Sequence, residues 1–134
     1  DFKRAVGACL KLSQQGDCSN GQLAPIGEWD VSSITDMDKI FDRATSFNIE
    51  ILDWNVSSVT IMSAMFAGAN SFNGDISKWN VAKVTKMERM FYQAIAFNGD
   101  ISQGNVSQVK DMDNMFNNVK SFKYNKKRKI LFRS

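Results

Sequence analysis

The chain of 134 residues has no histidine, one proline and two cysteines, and it has no apolar run near the ~20 residues that span a bilayer. Without histidine, no imidazole acts as acid, base or metal ligand, so histidine-based catalysis and His-ligated metal sites are excluded for this chain. The length suits one domain that buries a core without metals or several disulfides. These absences remove many classes of enzyme at once.

Acidic residues are missing from the C-terminal end. Six of the seventeen Lys and Arg residues lie in the last twelve positions, which leaves 11 basic residues against 14 acidic ones in the rest. The mildly acidic body argues against a nucleic-acid-binding surface. The basic tail, with Lys126, Lys127, Arg128 and Lys129, predicts contact with a phosphate-rich or acidic partner, an anionic membrane surface or nuclear import. A solvated tail is the alternative.

The two cysteines, Cys9 and Cys18, lie close together in the sequence near the N-terminus. A disulfide between them would close a short loop and would place the protein outside the cell, at the cell surface or in another oxidising compartment. Free thiols are the alternative.

A regular internal repeat runs through the chain. Trp29, Trp54 and Trp79 stand at equal intervals, and Gly104 takes the next place at the same interval. We number the copies one to four from these positions and call a set of equivalent residues a column. The apolar columns are Val31, Val56, Val81, Val106; Ile34, Val59, Val84, Val109; Met37, Met62, Met87, Met112; Ile40, Met65, Met90, Met115; Phe41, Phe66, Phe91, Phe116; and Phe47, Phe72, Phe97, Phe122.

Each copy carries signals for a strand, a helix and a turn. The spacing of Met37, Ile40, Phe41 and Ala44 predicts one face of a two-turn helix, and a Thr-x-x-acid capping box stands before it in copies one and three. The β-branched residues of "WDVSSI" predict a short strand upstream, and "FNGDIS" predicts a turn. A column formed by Asp30, Asn55, Asn80 and Asn105 predicts a polar ladder that satisfies backbone groups at a bend between copies.

A unit this small cannot bury its apolar stripe, but it can do so by stacking on its neighbours. The sequence therefore predicts an α/β solenoid of about four 25-residue strand–helix–turn rungs with an N-terminal capping helix. Its predicted parts are the cap helix and linker (1–28), the four-rung solenoid (29–122) and the basic tail (123–134).

The motif W-[DN]-V-S-x-[VI]-T-x-M-x-x-M-F-x-x-A-x-x-F-N-x-D-I-S, which runs from Trp29 to Ser102, resembles the BspA-type leucine-rich-repeat family. These repeats occur in surface proteins of bacteria and in predicted proteins of microalgae and protists. The resemblance implies a right-handed leucine-rich-repeat-like stack and a role in adhesion or host contact. It carries over no catalytic residue.

Several residue sets suggest binding chemistry, and each has a simpler explanation. The Met and Phe stripes could line an apolar ligand site, but their spacing favours core. "NVS" at Asn55 and Asn105 matches the N-glycosylation sequon. The polar columns that could bind calcium or ice are Glu50, Asp75 and Asp100, and Thr35, Thr60 and Thr85. Turn and helix capping are the simpler explanation of both columns.

Outward residues differ between copies while the apolar ones repeat, which is typical of a surface that binds a protein partner. The candidates in copy three are Lys83, Lys86, Arg89, Tyr92 and Gln93. The sequence thus predicts a non-enzymatic protein–protein interaction scaffold without cofactor or metal, either an adhesion-type surface module or an accessory subunit of a complex. The alternatives are a solenoid that binds a glycan, calcium or ice, and an enzyme that uses carboxylates alone.

Overall fold

The computed structural model describes residues 1–18, 23–99 and 104–119. Its first element is helix α1, Phe2–Leu12, and a short 3-10 helix follows at Ile26–Glu28. Within those three ranges there is no other helix and no strand, but isolated parallel bridges join neighbouring copies. No helix in the described ranges has the length and apolarity to cross a membrane.

Helix α1 begins at Phe2, inside the segment 1–28 that is predicted to hold a cap helix. The Asp1 side chain accepts a hydrogen bond from the Lys3 N–H at 2.9 Å, which satisfies one of the free donors at the helix start. Val6 and Cys9 are buried on its inner face. Cys9 forms a disulfide with Cys18, so the predicted pairing is confirmed and the segment after the helix is tied back to it.

The predicted leucine-rich-repeat-like α/β solenoid of strand–helix rungs is wrong. Residues 37–44 of copy one form successive turns instead of a helix, in which N–H groups donate to the carbonyl three residues back, as Ala44 does to Phe41 at 3.0 Å. Lys39 and Arg43 both have a φ of 61°, a left-handed conformation that an α-helix does not contain. The equivalent positions in the other copies have positive φ as well.

The physical reason is that alternate backbone N–H groups bond to the next copy. Their donor–acceptor distances in copy one are 2.7–3.0 Å, and the four pairs are Met37 to Ile61, Lys39 to Ser63, Phe41 to Met65 and Arg43 to Ala67. An α-helix would need these same donors for bonds inside its own copy. The pattern recurs from copy two to copy three and from copy three to copy four, so the copies lie side by side in parallel.

The threonine column has a different role from the predicted helix cap. The hydroxyl of Thr60 donates to the Thr35 carbonyl at 3.2 Å, and that of Thr85 donates to the Thr60 carbonyl at 3.2 Å. The backbone N–H groups of the same two residues donate to the same carbonyls at 2.8 Å. Threonine therefore joins neighbouring copies, and the capping-box prediction is wrong.

The apolar columns form the core, as their periodicity predicts. The rings of Phe41, Phe66, Phe91 and Phe116 stack with centroids 5.5–5.8 Å apart, within the range of offset aromatic pairs. The first three of these rings are completely buried. The Met and Phe stripes are therefore part of the packed core.

The boundaries at residues 28 and 122 remain predictions, and the basic tail lies outside the described residues.

Candidate functional site

The bonds between copies align outward side chains as well as inward ones. Three such columns, which we call the outer columns, lie on the turns after the methionines. They are Lys39, Ala64, Arg89, Asn114; Asp42, Ala67, Tyr92, Asn117; and Arg43, Gly68, Gln93, Asn118. Because alternate backbone groups bond from copy to copy, neighbouring members are held near the ~4.8 Å spacing of paired chains. The backbone beneath this surface is therefore fixed while its side chains differ.

Copy two has small residues in all three outer columns. Ala64 and Ala67 are 8% and 7% exposed, although the equivalent residues Lys39 and Arg89 of the neighbouring copies are exposed. The side chains in the same columns of copies one and three are longer. We call the surface that has Ala64, Ala67 and Gly68 at its centre, between these longer side chains, the copy-two groove.

Positive charge lies on both sides of the copy-two groove. Arg43 stands on the copy-one side with Lys39, and Arg89 stands on the copy-three side with Lys86. In the described part of the chain, the ion pair that the structure contains is between Lys3 and Asp36, at 3.3 Å, and it includes none of these four cations. These four cations are consequently available to an acidic partner. Acids lie on the same turns: Asp38, Asp42 and Glu88 are among these cations, and Asp111 and Asp113 follow in copy four beside Lys86 and Arg89.

The structure brings together three of the five predicted surface residues. The Arg89 guanidinium lies 5.2 Å from the centre of the Tyr92 ring, a cation–π distance that orients both side chains, and exposed Gln93 follows directly. Lys86 is exposed next to this group. Lys83 is exposed too, but it lies in the separate turn that the Val84 N–H closes.

Sequence reasoning missed the groove itself. The signal was the run "SAMFAGAN" of copy two, which has Ala, Ala and Gly where copy three has Arg, Tyr and Gln. Small residues at outward positions attract little notice alone. Their meaning depends on the long side chains at the equivalent positions of copies one and three.

The carboxylates considered as possible calcium ligands are used in local turns. Glu50 accepts a hydrogen bond from the Leu52 N–H at 3.0 Å, and Asp75 accepts one from the Ser77 N–H at 2.9 Å. Asp100 lies outside the described residues. Among the residues that the structure describes, no group of three or more Asp, Glu, Cys or His side chains could hold a metal ion.

A polar ladder exists, but in a different column from the predicted one. Asn55 and Asn105 of the predicted column are exposed, and each accepts from the N–H two residues on, so they satisfy backbone groups at the bend but make no bond to the next copy. The ladder instead uses Asn48, Asn73 and Asn98. The Asn73 N–H donates to the Asn48 side chain at 3.2 Å, and the Asn98 N–H donates to Asn73 at 2.7 Å.

Successive turns joined by hydrogen bonds from copy to copy, with a repeated core and a varied outer surface, define a repeat protein. The family model described as "Mycoplasma protein of unknown function, DUF285" matches residues 11–129, and the chain belongs to this family. No curated protein and no solved structure matches the chain. The resemblance to BspA-type repeats stays a prediction, because the matching family model is a different one.

Proposed function

We propose that the protein is a non-enzymatic interaction scaffold that binds an acidic polypeptide segment in the copy-two groove. The observation that carries this proposal is the burial of Ala64 and Ala67 between exposed cationic side chains. The scaffold is either an adhesion-type module at the cell surface or an accessory subunit of a complex. The disulfide between Cys9 and Cys18 is compatible with an oxidising location.

The spacing of the copies would suit an extended chain in the groove. Its two sides belong to copies one and three, which are two copy spacings apart, or about 10 Å. Ala64, Ala67 and Gly68 leave the floor without long side chains, so a bound backbone can approach closely. The fixed spacing of the floor preorganises the surface, which lowers the entropy cost of binding.

Charge and aromatic character support a polypeptide as the occupant. Arg43 and Arg89 present guanidinium groups, which pair with carboxylates through two parallel hydrogen bonds. Tyr92 adds a ring that is enriched at protein interfaces. Acidic side chains on an extended segment would meet cations on both sides, and this complementarity would speed association at low salt.

The test is affinity capture from native cell extract with matched charge variants. Arg43→Glu combined with Arg89→Glu reverses the charge on both sides of the groove. Lys11→Glu combined with Lys78→Glu makes the same change in net charge at exposed positions outside the outer columns. We expect the unaltered chain and the control to capture the same protein, and the groove variant to lose at least about tenfold.

The binding of the captured protein must also depend on the salt concentration. Added salt screens exposed charges, so binding at the groove should weaken as ionic strength rises. Equal capture by the groove variant and the control contradicts the proposal, and so does the absence of any captured protein with the unaltered chain. The proposed contact of Lys126, Lys127, Arg128 and Lys129 with a partner or membrane is separate, and deletion of residues 123–134 tests it.

A further inference from the structure

Asn55 lies at the bend before the turns of copy two, with its side chain outside the core. Its neighbours Trp54 and Val56 are 4% and 1% exposed, so they point inward, whereas Asn55 is exposed. The turn that follows is closed by the Val59 N–H, which donates to the Val56 carbonyl at 3.0 Å. The two buried neighbours therefore fix the backbone at this bend while the Asn55 side chain extends into solvent.

The oxygen and the nitrogen of the Asn55 side-chain amide have different roles. The oxygen accepts the Ser57 N–H at 3.1 Å and the Ser57 hydroxyl at 2.6 Å. The nitrogen, Nδ2, donates no hydrogen bond within the described residues. A substituent on Nδ2 would keep the oxygen, and with it both bonds of the turn. The fold thus uses the oxygen of this side chain and leaves its nitrogen to solvent.

The sequence at this bend differs between the four copies in a way that matters for Nδ2. Residues 55–57 and 105–107 read Asn-Val-Ser, which is the acceptor sequence for N-linked glycans. Asn105 is exposed like Asn55, and its side chain accepts the Ser107 N–H at 3.0 Å. The other two copies each lack one part of the sequence, because Asp30 has no amide nitrogen and copy three has Ala82 in place of the serine.

We infer that Asn55 and Asn105 are acceptor sites for N-linked oligosaccharides. The donor is an oligosaccharide linked to a lipid through a diphosphate, and a transferase of the secretory pathway catalyses the step. Nδ2 of the asparagine forms a bond to C1 of the first sugar and loses one proton. The bond between C1 and the diphosphate breaks, and the lipid diphosphate leaves. The disulfide between Cys9 and Cys18 is compatible with the oxidising compartment in which this transfer takes place.

A glycan at these two positions is compatible with stacking of the copies. The hydrogen bonds between copies one and two use other groups, among them the Thr60 N–H to the Thr35 carbonyl at 2.8 Å and the Asn73 N–H to the Asn48 side chain at 3.2 Å. A bulky hydrophilic group on an outward side chain therefore breaks none of these bonds, and it would add solubility to the surface that it covers. The bend is also a different one from the turns that carry the outer columns.

The experiment maps glycans on the full chain purified from its native source. Peptide:N-glycosidase removes an N-linked glycan and converts the asparagine that carried it to aspartate, which a peptide mass spectrum detects. We expect this conversion at positions 55 and 105 in most molecules and an unchanged asparagine at position 80. A digest without the enzyme measures spontaneous deamidation at the same positions.

Copy three supplies the matched control for two variants of the full chain, expressed through the secretory pathway of a eukaryotic cell. Ser57→Ala gives copy two the Asn-Val-Ala of copy three, so the glycan at position 55 should be lost while that at 105 stays. The turn should still form, because the Ala82 N–H donates to the Asn80 side chain at 3.1 Å. Ala82→Ser completes the acceptor sequence in copy three and should add a glycan at the exposed Asn80.

Unmodified asparagine at both positions of the native chain would overturn the inference, and so would a glycan at position 55 that persists in Ser57→Ala. A glycan at one position alone would overturn it for the other. A folded Ala82→Ser variant without a third glycan would contradict it too, because an exposed Asn-Val-Ser in this turn would then be insufficient. The groove variant with Arg43→Glu and Arg89→Glu should keep both glycans, so failure here is distinct from failure of the proposed function.

Discussion

Copies two and three have the same interior and opposite exteriors. Phe66 and Phe91 are completely buried and stack on each other at 5.5 Å. Outside, Ala64 and Gly68 of copy two stand where copy three has Arg89 and Gln93. The same backbone conformation thus carries small side chains in copy two and long polar or charged side chains in copy three.

This difference separates the residues that hold the fold together from the residues that are free to vary. Inward residues contact the preceding and following copies, so a change in one copy disturbs both neighbours. The outward residues of copies one and three mostly contact solvent and can change without opening the core. A repeat protein of this kind can therefore alter its outer surface copy by copy.

The largest expected effect tests whether the two interiors are equivalent. Phe66→Ala and Phe91→Ala should each lower the free energy of unfolding by about 3–5 kcal/mol, because each leaves a cavity among stacked rings. Urea denaturation measures both values. The two costs should agree closely, since both rings have aromatic neighbours in the copies before and after.

Phe116→Ala provides the internal control. Phe116 is 8% exposed in copy four, whereas Phe66 is completely buried, so its site can collapse more easily and the cost should be smaller. A cost at Phe116 as large as that at Phe66 would contradict the ranking of the copies by burial.

The second effect concerns a polar contact between copies two and three. The Ser63 hydroxyl donates to the Glu88 carboxylate at 2.7 Å, and the other carboxylate oxygen is buried without a hydrogen-bond partner among the described residues. Ser63→Ala should lower the free energy of unfolding by about 1–3 kcal/mol, because the carboxylate loses its donor.

A double-mutant cycle with Glu88→Gln isolates this interaction. We expect a coupling energy of about 0.5–3 kcal/mol between the two positions from chemical denaturation. A second cycle on the adjacent exposed residues Lys86 and Arg89 serves as the comparison. If the effects of the changes at Ser63 and Glu88 on the free energy of unfolding are additive, the two side chains are not in direct contact.

The sequence predicts the core but not the backbone that carries it. Met37, Ile40 and Phe41 are buried as their spacing indicates, since successive turns and a helix both return a side chain inward after three or four residues. Successive turns and an α-helix differ in which carbonyls accept hydrogen bonds from the backbone N–H groups. Lys39 donates to Ser63 in the next copy, and no local signal in residues 37–44 reveals that choice.

Part of the candidate site could also be predicted. Arg89, Tyr92 and Gln93 stood out because their neighbours differ, and the structure places them together. The groove depends on the relative lengths of side chains in three copies, and this difference is not visible until the copies are aligned in space.

The third effect compares Gly68 of copy two with Gln93 of copy three. Both are left-handed, with φ of 70° and 57°, and glycine adopts this conformation without a steric penalty. A Cβ on Gly68 would lie 3.5 Å or more from its neighbours, so backbone strain dominates the change. Gly68→Gln should lower the free energy of unfolding by about 1–2 kcal/mol.

The reciprocal change sharpens this result. Gln93→Gly relieves the same strain, but the gain should be smaller because glycine also has more freedom in the unfolded chain. Thermal and urea unfolding of both variants give the two values. A stabilised Gly68→Gln variant would show that positive φ carries no cost in these turns.

The smallest effect compares an acid with an amide in the same turn. Asp30 of copy one accepts the hydroxyl of Ser32 at 2.6 Å and its N–H at 3.0 Å, and Asn55 of copy two makes the equivalent bonds with Ser57 at 2.6 and 3.1 Å. The Ser32 hydroxyl, followed by its N–H, lowers the pKa of the exposed Asp30 carboxyl below its ordinary 3.8. Its stabilising contribution is therefore present above that value and is lost as the pH falls through the lowered pKa.

Asp30→Asn should consequently flatten the decline in stability below about pH 4, while it changes stability little at neutral pH because the amide oxygen accepts the same bonds. Asn55→Asp should produce the opposite change and steepen the decline. Urea midpoints measured at several pH values for the parent and both variants check the pair. Parallel decline of all three chains would mean that these turns do not respond to acid, and that the two copies are as alike at this bend as they are in the core.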